Sequence, residues 1–205
     1  MSDELETRVG TILGGTASGL IPMAIFTPFY AIWPAFTWLV PGVVFFVLAA
    51  AWSAYLAVSA ARLLRLGREL PNETNAFDGR ITKGMTVVSS IQGGLILTSV
   101  VVLGLLGLWV WVLPVVVLIV ALHFFPMPAI FGRTIDYYLG AAMLAVAVTG
   151  LVFVSQGTVP WQVSWGVVGI GAALVTSGYG LWMRLTARRV LARYTAIQAH
   201  SGLTT

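Results

Sequence analysis

The chain has 205 residues, 59% hydrophobic and 9% charged, with a formal net charge of +4 and no cysteine. Soluble domains carry about 25% charged residues, so this composition excludes a water-soluble enzyme or nucleic-acid-binding module and makes the lipid bilayer the solvent for most of the surface. Disulfides and thiolate chemistry are excluded as well.

The amino terminus, "MSDELETRVG", is acidic. A secretory signal starts basic and has a short apolar core, so this segment reads as a short cytosolic lead into an uncleaved span. A bilayer core about 30 Å thick takes roughly 20 apolar residues per helix. On that measure the sequence predicts spans at about 10–30, 37–61, 85–106, 109–125, 136–155 and 162–186, with a cytosolic loop at about 62–84. The expected fold is an all-α membrane protein: six transmembrane helices arranged as three helical hairpins, both termini cytoplasmic, forming a single polytopic domain over 1–205.

The third and fourth spans come from one uncharged run, Ile91 to Leu122, which is too long for an ordinary span. Gly104, Gly107 and Pro114 surround "LWVWVLP", which suits a tight turn. Charge supports the division. The outer loops near 31–36, 106–110 and 156–161 then contain no Lys, Arg, Asp or Glu. All eleven basic residues fall on the inner side: Arg8, Arg62, Arg65, Arg68, Arg80, Lys83, Arg133, Arg184, Arg188, Arg189 and Arg193. That is the positive-inside pattern of a plasma (inner) membrane protein with N-in/C-in topology. Trp33, Trp38, Trp109, Trp111, Trp161 and Trp165 map near the outer face, where indole rings sit well among headgroups.

The second helix of each hairpin opens on a tryptophan: "WLVPGVV" (38–44), "WVLPVVV" (111–117) and "WGVVGIG" (165–171). These are either weak parallel repeats or the ordinary grammar of a belt tryptophan and a first-turn proline. Small residues spaced by four (Gly15 and Gly19, Ser90 and Gly94, Gly169 and Ala173) let helix backbones approach closely. Pro22 is expected to kink the first helix.

Ionisable residues inside a membrane are costly and mark function; this chain has almost none at mid-depth. The candidate residues for a cavity or its rim are Gln92, His123, Asp136, Ser53, Tyr55 and Ser177. The alternative is that such Ser, Thr and Gln side chains cross-link helices, at about 0.6 kcal/mol each. His123 precedes Pro126 and Pro128, which cannot continue its helix, and Asp136 begins the next one. The two form either an interfacial turn pinned by dipole contacts or a proton-relaying pair at a cytosolic mouth. One histidine and one carboxylate are too few ligands for a zinc site, so no metal and no cofactor is expected.

The basic edge reads as lipid-headgroup contact by Arg62, Arg65, Arg68, Arg184, Arg188, Arg189 and Arg193. Their stems snorkel and their guanidinium groups meet an anionic leaflet. "NET" (72–74) has the form of a glycosylation sequon, but the charge map puts it in the cytosol. "TASG" (16–19) shares only part of the G-x-S-G of rhomboid proteases: Thr16 stands where the glycine would be, and no histidine follows on the sixth helix.

The block "HFFPMPAIFGRTIDYYLGAA" (123–142) resembles one in small uncharacterised bacterial membrane proteins of similar size and span count. The resemblance implies a bacterial six-span protein of unassigned function. Two functions are expected: a small transport-like or channel-like protein for a neutral or weakly polar solute, or a non-catalytic membrane subunit or scaffold. An enzyme is disfavoured, because no nucleophile–base pair is visible. The expected partners are the bilayer with its anionic headgroups and a homo-oligomer or membrane-protein partner; nucleic acid is not among them.

Overall fold

The computed structural model describes residues 2–70, 76–157 and 159–201. The sequon at 72–74 and the side chain of Arg80 lie outside the described residues. Seven α-helices follow in chain order: α1 Ser2–Ala31, α2 Leu39–Glu69, α3 Ala76–Leu105, α4 Val112–Phe124, α5 Met127–Phe131, α6 Ile135–Gln156 and α7 Trp161–Ser201. Single 3-10 turns at Trp33–Phe36 and Trp109–Trp111 precede α2 and α4, and no strand occurs among the described residues.

Six segments are long and apolar enough to cross a bilayer: Glu6–Phe36, Leu39–Glu69, Lys83–Leu105, Trp109–Phe131, Ile135–Gln156 and Trp161–Ala199. The protein is therefore a multi-pass, all-helical membrane protein. The division of the Ile91–Leu122 run falls where the glycines place it. α3 ends at Leu105, and Gly107 turns the chain with φ +71°, a left-handed conformation that costs other residues a steric penalty. Pro126 caps the start of α5, so His123 lies in the last turn of α4.

Several helices run past the expected ends. α2 continues through Arg62, Arg65 and Arg68 to Glu69, α3 starts at Ala76 within the expected loop, and α7 reaches Ser201. A hydropathy reading stops a helix where apolar residues stop. The backbone ladder continues wherever good helix formers follow, as in "RLLRLGRE" and "RRVLARY". α1 runs unbroken through Pro22 and Pro28.

The chain divides into two compact units. The first comprises Met1–Thr27, Ala49–Glu73 and Thr176–Thr205, a three-helix unit of α1, α2 and α7. Its core contains Leu13, Ala17, Leu20, Leu56, Ala60, Leu63, Met183 and Ala187. The helices come close through glycines. Gly67 of α2 lies against the backbone of Gly10 and Gly14, and Gly180 of α7 against the Leu56 side chain.

The second unit comprises Pro28–Leu48 and Thr74–Val175. Here α4 packs chiefly on α6 and less on α3. Val116, Val117, Val120, Ala121, Met143 and Ala147 form the α4–α6 core. Gly150 of α6 allows Val168 and Pro114 to close over it. α3 differs from the others, since its span Lys83–Leu105 has no buried residue.

Candidate functional site

The six polar candidates fall into the two units. Ser53, Tyr55 and Ser177 belong to the first, and Gln92, His123 and Asp136 to the second. Asp136 is fully buried in the first turn of α6, with Arg133 Nε 3.6 Å from its Oδ2. A carboxylate suits that turn, because the peptide dipoles there favour negative charge. Arg133 itself lies 4.3 Å over the ring of Phe131. His123 is half-buried, meets the backbone of Val88 on α3, and leaves Nδ1 buried without a hydrogen-bond partner. Gln92 is half-buried on α3.

In the first unit a groove of about 360 Å³ runs between α1 and α2. Ile21, Ala24 and Ile25 line one side, and Ala54, Ala57, Ala60, Ala61 and Leu64 the other. Ser53 is its one polar side chain; it is 6% exposed, and its Oγ has no partner. The groove is thus an apolar furrow, and of the six candidates it holds only Ser53.

Other polar side chains divide between bonds to their own helix, as at Thr16 and Thr149, and bonds that join helices. Thr27 of α1 bonds Thr176 of α7 in the first unit. In the second, Thr37 donates to the carbonyl of Gln162, Ser164 to that of Gly150 at 3.4 Å, and Trp165 Nε1 to that of Val110 at 2.9 Å. Trp165 also meets Trp33 edge to face, with centroids 4.6 Å apart. At the far end of the first unit, Tyr194 and Gln198 both donate to Glu6 at 3.2 Å. Each such interhelical bond is worth about 0.6 kcal/mol and rarely above 1.7.

The seven edge arginines are not equivalent. Arg62, Arg65, Arg68, Arg188, Arg189 and Arg193 are exposed. Arg184 is half-buried, and its Nε donates to Ser59 Oγ at 3.2 Å; Ser59 is itself only 4% exposed. Tyr55, one turn before Ser59 on α2, lies within hydrogen-bonding range of Arg184 and Ser59 and within electrostatic range of Arg188. A polar cluster therefore sits where α2 and α7 run side by side.

Ser59 is one serine among many in the sequence, and nothing local pairs it with Arg184, 125 positions away. Thr27 carried no signal at all: a lone threonine in an apolar helix is ordinary. Among the described residues no three His, Asp or Glu side chains group to hold a metal ion. Comparison with family models, curated proteins and solved structures returns no match to this chain.

Proposed function

We propose that this chain is a non-catalytic membrane subunit that lends α3 to a transmembrane helix of a second chain. The observation that carries this reading is α3 itself, whose span touches α4 and α5 yet buries none of its residues. Lipid-facing helices of a bundle normally bury one stripe. α3 instead carries small and polar residues, Ser89, Ser90, Gln92, Gly93, Gly94 and Thr98, in an otherwise apolar span. A Cβ added at Gly93 or Gly94 would meet nothing within 4 Å. Small and polar residues are what helix–helix contacts in a bilayer use, and lipid alone has no need of a glutamine.

The transport-like reading draws on the unpartnered hydroxyl of Ser53. Against it, the groove that holds Ser53 is otherwise lined by apolar side chains, and the buried hydroxyls of Thr27 and Ser164 bond other helices. The charge map supports both described ends facing the cytosol, and the resemblance at 123–142 supports a bacterial inner membrane.

The test is purification in native-lipid nanodiscs, comparing the mass of the wild-type complex with that of Gly94→Leu. The wild type is expected to run as a larger complex and the variant as a single chain. A wild-type chain that runs alone overturns the proposal. If the lone chain also labels at Gln92→Cys with a membrane-impermeant maleimide, the transport-like reading takes its place.

A further inference from the structure

The geometry points to a binding site for a phosphate group between α2 and α7, built from Arg184 and Arg188 with Tyr55 and Ser59 as neutral donors. It does not depend on the subunit reading, only on the two helices lying in a bilayer. The same chemistry serves a phospholipid headgroup or a soluble phosphate.

The first argument is how Arg184 is held. A half-buried arginine in a membrane helix usually pairs with a carboxylate or with backbone carbonyls. Here the partner of its Nε is a neutral, buried serine hydroxyl. Among the described residues neither Arg184 nor Arg188 makes an ion pair with a carboxylate. On α1, Glu6 is engaged by Tyr194 and Gln198, ten and fourteen residues beyond Arg184. Glu69 on α2 lies ten residues beyond Ser59, about 15 Å along the helix. Among the described residues no carboxylate compensates the positive charge of the cluster.

The second argument is direction. Arg184 and Arg188 are spaced by four on α7 and share one face. On α2, Tyr55 and Ser59 share a face by the same spacing, and exposed Arg62 continues it three residues on. The contact of Gly180 with Leu56 sets the register, placing Ser59 beside Arg184. Nε is fixed on Ser59, and one of the four N–H bonds on the terminal nitrogens of Arg184 is within reach of Tyr55; the others remain to hold oxygens of one phosphate, a group for which guanidinium is suited. Ser59 accepts from Arg184 and keeps its own hydrogen to donate, to Tyr55 or to the phosphate, and Tyr55 supplies a second hydroxyl. Arg189 and Arg193 carry the same charge on other faces of α7, exposed to solvent or headgroups. They are built-in controls for nonspecific attraction.

The experiment uses the full chain in detergent micelles and native mass spectrometry. The probes are phosphatidylglycerol, diacylglycerol as the phosphate-free analogue, and inorganic phosphate. Wild type is expected to retain phosphatidylglycerol or inorganic phosphate, and the probe retained identifies the source. Diacylglycerol is not retained. Arg184→Gln combined with Arg188→Gln weakens retention by about tenfold or more, the worth of a charge-assisted contact. Arg189→Gln with Arg193→Gln removes equal charge and is expected to change it less than about twofold, as for a screened exposed site. Tyr55→Phe, which deletes one oxygen from a half-exposed side chain and leaves packing intact, weakens retention by about threefold. Equal weakening in the two double variants, retention of diacylglycerol, or failure to retain either phosphate probe overturns the proposal.

Discussion

Thr27 of α1 and Thr176 of α7 meet hydroxyl to hydroxyl, 149 positions apart in sequence and 3.1 Å apart in space, both buried. Thr27 donates, and Thr176 makes a further interaction of its own. The two substitutions are therefore unequal. Thr176→Val leaves the Thr27 donor buried without an acceptor and is expected to cost about 1–2 kcal/mol, whereas Thr27→Val costs about 0.6. The double variant costs less than the sum, because no orphaned donor remains. Unfolding by a denaturing detergent, read by tryptophan fluorescence, measures all three.

Gly169 and Gly94 test close packing against open space. A Cβ on Gly169 would lie 2.6 Å from the carbonyl oxygen of Tyr30 and 3.0 Å from Trp33 Cβ. Backbone cannot yield as a flexible side chain does, so Gly169→Ala is expected to destabilise by about 1–3 kcal/mol. Gly94→Ala meets nothing and gains up to about 1 kcal/mol of helix propensity. The same unfolding assay separates them, and an equal loss at both positions would sink the packing argument.

Trp165 ties two connections of the second unit together through its bond to Val110 and its edge contact with Trp33. Trp165→Phe keeps most of the ring but leaves the Val110 carbonyl without this donor, at an expected cost of about 1–3 kcal/mol. Trp161→Phe, at an exposed ring, is expected to stay within about 0.5 kcal/mol. If the two melt alike, the Val110 bond contributes nothing.

Ser53 carries a hydroxyl that the groove leaves unpaired. Removing it relieves a buried, unsatisfied group, so Ser53→Ala is expected to be neutral or to stabilise by up to about 1 kcal/mol. A marked destabilisation would show that the hydroxyl bonds within the fold after all.

The small-xxx-small spacings show what pattern alone conveys. Gly15–Gly19, Ser90–Gly94 and Gly169–Ala173 are identical as spacings. In the structure Gly169 touches the Tyr30 backbone, Gly19 faces the Met183 sulfur, and Gly15 and Gly94 have nothing near. Spacing says that close approach is affordable, and only a neighbour makes it real. The polar candidates divide in the same way. Burial of Asp136 and the orphaned Nδ1 of His123 depend on α3, α4 and α6 meeting, which no local pattern encodes.

Span number, the break near Gly107, the stop at Pro126 and the basic edge are local matters. Hydrophobic run length, glycine's left-handed turn and proline's missing N–H act within a few residues, so the sequence by itself determined them. The pairing of Arg184 with Ser59, the Thr27–Thr176 bond and the unburied state of α3 join positions far apart in the chain. In lipid the apolar faces of all helices look alike, and which one packs is decided by shape and by where polar groups find partners. Only the tertiary structure decided those.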